Sequence, residues 1–143
     1  MQSVRFVGSA LGESRWIDSE ISVGSLAGTA LFGSELTRVH FVGCKLVSVN
    51  LREARLRDVT FTDCTLDGVD FSGATLTDVS FPGSSLREVR FDRAKMKNVD
   101  LREARDLSLH VAPDALSGLV ITGLQLLDLA PAFAQALGVR VAD

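Results

Sequence analysis

Every fifth residue of this chain, from Phe6 to Leu101, is large and apolar. The series holds for 20 consecutive positions, and 17 of them are leucine or phenylalanine. A period of five fits neither the 3.6-residue turn of a helix nor the two-residue alternation of a strand. The backbone therefore repeats one small move every five residues, which predicts a solenoid.

A second restricted position lies two residues before each member of this series. From Val39 onward it mostly alternates between valine and a small residue, such as Cys44 or Ala54. The other three positions in each group of five are mostly polar. Each group therefore directs two side chains inward and three outward, and the small inward residues indicate a narrow interior.

This unit resembles the pentapeptide repeat, as in Ala54-Arg55-Leu56-Arg57-Asp58 and Val69-Asp70-Phe71-Ser72-Gly73. The resemblance covers about residues 4–105 and implies an all-β solenoid, a right-handed quadrilateral β-helix of about five coils with four repeats in each coil. We therefore expect a β-helix over residues 1–105. Residues 106–143 are expected to form a transition strand and a short C-terminal α-helical cap.

A coil of 20 residues stacks side chains whose numbers differ by 20. Residues 20 apart are often of the same type, as at Cys44 and Cys64, which would then stack on each other. This agreement favours a four-sided coil over a three-sided one. The predicted core ladders are Phe41, Phe61 and Phe81, and Leu46, Leu66 and Leu86.

Glycine ends many of the repeats, as at Gly43, Gly73 and Gly83. We expect these glycines to take positive φ as the second central residue of type II turns. Repeats without this glycine are expected to use other turn types.

The period fails at Asp106, and an apolar segment follows. Thr122 is expected to cap a helix beginning at Gly123. Pro131 is expected to break or kink it, and also suits the first turn of a second short helix. The segment has more apolar surface than one cap needs. The resemblance implies a two-fold homodimer contact here, whereas the alternative is that the whole segment packs on the monomer's own coil. The contact residues assigned to the dimer are Leu124, Leu127, Phe133 and Leu137.

The remaining residues give no sign of catalysis. His40 and His110 are the only histidines, and neither forms a recognisable arrangement with a serine or cysteine nucleophile. The inward Cys44 and Cys64 are expected to be small core residues, and too few ligands are present for zinc. We therefore predict no catalytic, cofactor-binding or metal site, and a protein that is not an enzyme.

Hydropathy and cysteine usage indicate the compartment of the protein, and the distribution of charge indicates the character of its surface. The net charge is −3, and no apolar run of 18 residues indicates a membrane span. No signal peptide is recognised before the repeats, and the two inward cysteines suggest a reducing cytoplasm.

Charges of opposite sign repeatedly lie 20 residues apart, which predicts a surface on which charged side chains of neighbouring coils neutralise one another. Because Arg52, Arg55 and Arg57 are expected on different faces, no direct nucleic-acid contact is expected.

One outward feature is apolar. Apolar residues at several outward positions of the first coils indicate a protein-contact patch, and the alternative is ordinary scattered surface residues. The patch residues are Val7, Ala27, Val47 and Phe32.

A rigid stack with flat faces favours a protein-binding or scaffold module over an enzyme. A purely structural oligomerisation unit is the second class of function. The best-known bacterial proteins of the family confer quinolone resistance by binding DNA gyrase as mimics of duplex DNA, so the resemblance adds a gyrase-binding inhibitor as an alternative. A mimic needs rows of carboxylates. Only the face with Glu20, Asp63, Asp100 and Glu103 leans acidic, and it is sparse.

Overall fold

A computed structural model describes residues 5–7, 13–22, 24–110 and 117–142. The described chain forms a parallel β-solenoid of about 5 coils followed by a single helix, which confirms the predicted fold class. The elements are β1 (Arg5–Val7), β2 (Arg15–Ser22), β3 (Ser25–Ala27), β4 (Glu35–Val42), β5 (Lys45–Val47), β6 (Arg55–Thr62), β7 (Thr65–Asp67), β8 (Thr75–Ser80), β9 (Ser85–Arg90), β10 (Lys95–Asp100), β11 (Asp106–His110), β12 (Leu119–Val120) and α1 (Gly123–Ala136).

The strands form two parallel sheets of six strands each. One has the order β1-β3-β5-β7-β9-β11, and the other has the order β12-β10-β8-β6-β4-β2. Within the repeats, the numbers of paired residues differ by 20, as in the pairing of Phe41 with Phe61 and of Leu46 with Leu66. The register shifts at β11, where Asp106 pairs with Ser85, because the period of five fails there.

Each coil presents four faces, which we number in chain order. In the coil of residues 54–73, the first face presents residues 55–57, the second 60–62, the third 65–67 and the fourth 70–72. Residues at equivalent points of neighbouring coils have numbers that differ by 20. Every outward side chain therefore occupies one point of a regular grid on the surface.

The interior is a set of stacked ladders. The rings of Phe41 and Phe61 lie 4.8 Å apart between centroids, and those of Phe61 and Phe81 lie 5.0 Å apart, both nearly parallel. Leu46, Leu66 and Leu86 are fully buried in a second ladder. Parallel strands stack each ring one coil above an identical ring, so burial and ring stacking act on the same side chains.

The corners between faces carry positive φ at glycine and at other residues alike. Gly73 has φ 70°, while Glu53 has φ 58° and Asp58 has φ 54° at equivalent points of their repeats. A left-handed conformation costs a residue with a side chain about 1–2 kcal/mol. Because the corners accept this cost, the stacking of the coils dictates the corner conformation more strongly than local preference does.

The C-terminal segment closes the last coil. β12 pairs with β10, and the Val99 amide donates to the Gly118 carbonyl. Thr122 caps α1 as expected, since its hydroxyl accepts from the Gln125 amide at 3.0 Å. The Gln125 side chain in turn donates to the Leu101 carbonyl at 2.6 Å, which ties the helix to the tower.

The expected break at Pro131 is wrong. α1 runs without interruption through Pro131 to Ala136. Proline cannot donate to the carbonyl four residues earlier, that of Leu127. Pro131 and Leu127 both lie on the exposed side of the helix. Water can therefore satisfy the carbonyl that the proline leaves without a partner.

Replacing Phe61 by alanine should lower the free energy of unfolding by about 3–5 kcal/mol, because it removes the central ring of the ladder and leaves a cavity. The matched control is Thr60→Ala on the outward side of the same strand, which should change it by less than about 1 kcal/mol. Urea titration of both variants measures the difference. A Phe61→Ala loss as small as that of the control would contradict the ladder.

The glycine before β12 is expected to matter more than a corner glycine. Gly118 has φ 99°, and a Cβ there would overlap the Met96 carbonyl oxygen, whereas a Cβ on Gly43 would meet nothing within 4 Å. Gly43→Ala should therefore cost only about 1 kcal/mol, from its positive φ. Gly118→Ala should cost clearly more in the same urea titration, because backbone must move. Equal losses would show that the close approach of Gly118 to β10 does not hold the cap.

Candidate functional site

A row of exposed leucines lies on the outer side of α1 and at its C-cap residue, Leu137. Leu124 is 77%, Leu127 71% and Leu137 61% exposed, although all three are large and apolar. Phe133, the fourth residue assigned to a dimer contact, is half-buried. The only charged side chain on the helix is Asp128. The structure therefore leaves three of the four predicted contact residues free on one end of the molecule.

The opposite side of α1 faces the tower. Leu129 is the helix residue that is fully buried, and Gln125 binds the last coil by its side chain. The spacing of Gln125, Leu129 and Phe133, four residues apart, sets them on one stripe of the helix. Leu124 and Leu127 lie outside this stripe and are not used in capping. Leu137 follows Phe133 by four residues and continues the line of the stripe just beyond the end of α1, where it is exposed.

The predicted apolar patch divides between two faces. Val7, Ala27 and Val47 share a register on the third face, but the side chain of Val7 lies outside the described residues. Ala27 is half-buried, and Val47 is 38% exposed. Phe32, 42% exposed, lies on the fourth face beside Asn50 and Arg52, in a cleft of polar residues. The structure therefore brings Phe32 together with charged groups rather than with Val47.

The acidic face remains sparse. Glu20 and Asp63 are exposed on it, and Asp100 is bound by both ends of the Arg102 guanidinium at 2.8 and 3.0 Å. The hydrogen bond from Arg102 holds the pKa of the Asp100 carboxyl below its ordinary value. Part of the negative charge that the sequence places here is thus already neutralised within the chain.

The two cysteines act as small hydrogen-bond donors inside the tower. The Cys44 thiol donates to the Ile21 carbonyl and the Cys64 thiol to the Phe41 carbonyl, at 3.3 and 3.5 Å. Ser84, next in the same stack, donates to the Phe61 carbonyl. The contact with the Cys44 thiol, and then burial, raise the pKa of the Cys64 thiol above its ordinary value. Both thiols are free.

A polar depression between two basic rows is the feature that sequence reasoning missed. We call it the central trough. It crosses the corner between the fourth and first faces, and its floor and both walls come from three successive coils. The floor is Ser72, Gly73, Thr75 and Thr77. One wall contains Arg52, Glu53, Arg55 and Arg57, and the other contains Asp92, Arg93, Lys95 and Lys97, so cations predominate in both.

The stacking register defines this trough. Thr75 pairs with Arg55 and Lys95, one on each side, and Thr77 lies between Arg57 and Lys97 in the same way. The fourth-face part of the trough is a cleft of about 580 Å³. The expectation that Arg52, Arg55 and Arg57 lie on different faces is therefore wrong for Arg55 and Arg57, because alternate residues of one strand point to the same side of the sheet.

The described residues contain no group of three histidine, cysteine or acidic side chains that could hold a metal ion. No helix among them is long and apolar enough to cross a membrane.

The fold and repeat pattern define a pentapeptide repeat protein. The family model for the pentapeptide repeat region matches residues 34–105, half of the chain, and the chain belongs to this family. A search of curated proteins gave no significant match.

Solved structures of the family are similar at low identity. A pentapeptide repeat protein from the thylakoid lumen of Arabidopsis thaliana is 15% identical, with a TM-score of 0.46 over 90% of this chain and 76% of that one. Rfr23 from the cyanobacterium Cyanothece 51142 is 15% identical, with a TM-score of 0.43 over 66% and 89%. A trypsin-treated variant of QnrB1, a plasmid-mediated fluoroquinolone resistance protein, is 16% identical, with a TM-score of 0.44 over 98% of both chains.

Neither cysteine should react quickly with a thiol reagent in the native protein, because both side chains are buried out of its reach. Both should react at once when urea unfolds the chain. The measurement is the absorbance released by a disulfide reagent, with the unfolded protein as the reference for two thiols. Fast labelling of either thiol in the native state would show that the small-residue stack is open.

Proposed function

We propose that this protein is a non-enzymatic protein-binding or scaffold module that forms a homodimer through the outer side of α1. The exposed row of Leu124, Leu127 and Leu137 carries the proposal. Burying one leucine side chain is favourable by about 1.5–3 kcal/mol, and a two-fold contact buries the row of both copies at once. An exposed apolar row of this kind is typical of an interaction site.

The arrangement of α1 supports self-contact rather than capping as the role of these leucines. Capping is carried out by Leu129 and Gln125, on the stripe that faces the tower. Asp128 follows Leu124 by four residues and therefore lies beside it on the helix, at the border of the leucine row, where its exposed carboxylate stays in solvent. A two-fold contact would leave both towers pointing outward, with all of their side faces free for partners.

The dimer is tested by light scattering at about 50 µM protein, a concentration at which a micromolar contact is mostly formed. We expect a mass twice that of the 15.3 kDa chain. Leu127→Glu should give the monomer mass, because it places a charge in the centre of the row. The matched control Val47→Glu puts the same charge on an exposed apolar residue of the third face and should stay dimeric. A monomeric unmodified protein, or loss of the dimer in both variants, would contradict the proposal.

The charge layout does not support gyrase inhibition as the primary function. A mimic of duplex DNA would present continuous rows of carboxylates, whereas Asp100 is bound by Arg102 and the central trough adds cations. A supercoiling assay with gyrase checks this point. Loss of supercoiling at stoichiometric protein would favour the mimic over the scaffold, while no effect at large excess is the expected result.

We place the protein in a reducing compartment, the cytoplasm, as part of the same proposal. The free thiols of Cys44 and Cys64, stacked in neighbouring coils, are consistent with that setting.

A further inference from the structure

Most cations of the central trough have no ion-pair partner among the residues that the structure describes; Arg52, which lies 3.9 Å from the Asp70 carboxylate, is the exception. Arg55, Arg57, Lys95 and Lys97 form no ion pair with any residue that the structure describes, and neither does Arg93 at the corner. Elsewhere on the tower several arginines do have such partners. Arg15 pairs with Glu35, Arg38 with Asp18, and Arg102 with Asp100.

The first-face part of the trough also lacks carboxylates. Between the two basic rows lie only Thr75 and Thr77, with their hydroxyl groups. The acidic groups at its borders are mostly engaged: Glu35 binds Arg15 and Asp92 binds Arg90. The exposed carboxylates that remain close are Glu53 at one corner of the first face and Asp58 and Asp78 at the other. The first face therefore presents four positive charges to solvent on a flat sheet.

Side-chain size makes this surface concave. The floor residues Ser72, Gly73, Thr75 and Thr77 are short, while the walls are mostly arginines and lysines. Neighbouring coils are spaced by about 4.8 Å, so the walls stand about 9.5 Å apart at the backbone. That width admits one extended chain lying along the floor between the two rows.

The spacing along the walls matches an extended polypeptide. Arg55 and Arg57 are two residues apart on one strand, as are Lys95 and Lys97, so each pair is separated by about 6.6 Å. Side chains on one side of an extended peptide repeat at the same distance. A peptide with acidic residues at alternate positions would therefore set each carboxylate between an arginine and a lysine, with the threonine hydroxyls beneath.

The ends of the trough favour a short segment over a nucleic-acid strand. Asp58 and Asp78 occupy the corner beyond the first face, where they would repel a phosphate backbone that continues past Thr77. At the other end, Phe32 lies beside Asn50 and offers an apolar surface. A peptide can place a neutral residue at the acidic corner and an apolar one on Phe32, whereas a nucleic acid carries charge at every step.

We propose that the central trough binds an extended acidic segment of a partner protein, with alternate Asp or Glu side chains held between Arg55 and Arg57 on one wall and Lys95 and Lys97 on the other. The inference deepens the proposed function and rests on it, since it names the kind of partner that a binding module would take. The contact is electrostatic and exposed, so it should weaken as the ionic strength rises.

The test uses a fluorescein-labelled octapeptide of alternating glutamate and threonine, followed by fluorescence anisotropy on the full chain. We expect saturable binding at about 10 mM ionic strength and much weaker binding at about 150 mM, where the Debye length has fallen from about 30 Å to about 8 Å. The same peptide with glutamine in place of glutamate should not bind. Equal binding of the two peptides would overturn the proposal.

Variants locate the site. Arg57→Gln with Lys97→Gln should weaken binding of the acidic peptide about tenfold, because it removes one cation from each wall. The matched control, Lys45→Gln with Arg87→Gln, removes two exposed cations of the third face and should leave the affinity unchanged. An equal effect of both double variants would show a nonspecific charge effect and overturn the site. Urea titration verifies that each variant folds.

Two further arms separate the alternatives. An unlabelled single-stranded oligothymidylate of eight nucleotides should compete poorly, and a tighter affinity than that of the peptide would replace the proposal by a nucleic-acid site. The Leu127→Glu variant should bind the peptide as well as the unmodified chain does. Peptide binding can therefore fail while the dimer persists, and the dimer can fail while peptide binding persists.

Discussion

The in-register stacking of coils 20 residues apart is the constraint on which the whole structure depends. Each coil is hydrogen-bonded to the next through backbone groups, as in the bonds from Thr65 to Cys44 and from Ser85 to Cys64. A narrow interior then forces every inward side chain to lie on its counterpart, and the nearly parallel rings of Phe41, Phe61 and Phe81 follow. Shifting one coil by a single residue would bring polar side chains inward, so burial and hydrogen bonding select the same register.

Most of the fold could be predicted because the period of five is set by the inward residues. An inward side chain must be apolar and must fit a narrow interior, and both properties can be read from the residue type. The Thr122 cap was also readable, since capping depends on a local residue type. The continuity of α1 through Pro131 was not, because it depends on that residue lying on the exposed side of a docked helix. The central trough was missed for a different reason. It consists of outward residues from three coils, and no short segment of sequence contains it.

The neighbour with which each charged surface side chain pairs was harder to predict than the position of that side chain on the tower. Asp70 stacks on Arg90 in the register, but its carboxylate accepts from Ser72 and lies near Arg52, while Arg90 turns to Asp92. Several neighbours of opposite charge compete within reach of each long side chain, and exposed ion pairs differ from one another by only about 1 kcal/mol. The coil register therefore determines the position of each charged residue, whereas small differences in energy decide which neighbour it pairs with.

The same register explains how unpaired cations can persist in the trough. Like charges directly opposite one another on adjacent strands are destabilising, and the chain avoids this by placing Thr75 between Arg55 and Lys95, and Thr77 between Arg57 and Lys97. The separation of about 9.5 Å exceeds the Debye length of about 8 Å at physiological ionic strength, so the repulsion between the rows is largely screened. A carboxylate on the central strand would relieve what remains, yet threonine stands at both points. The depression and its charge thus have one origin, short neutral residues in the coil between two basic ones, and both features suit a ligand that brings the missing negative charge.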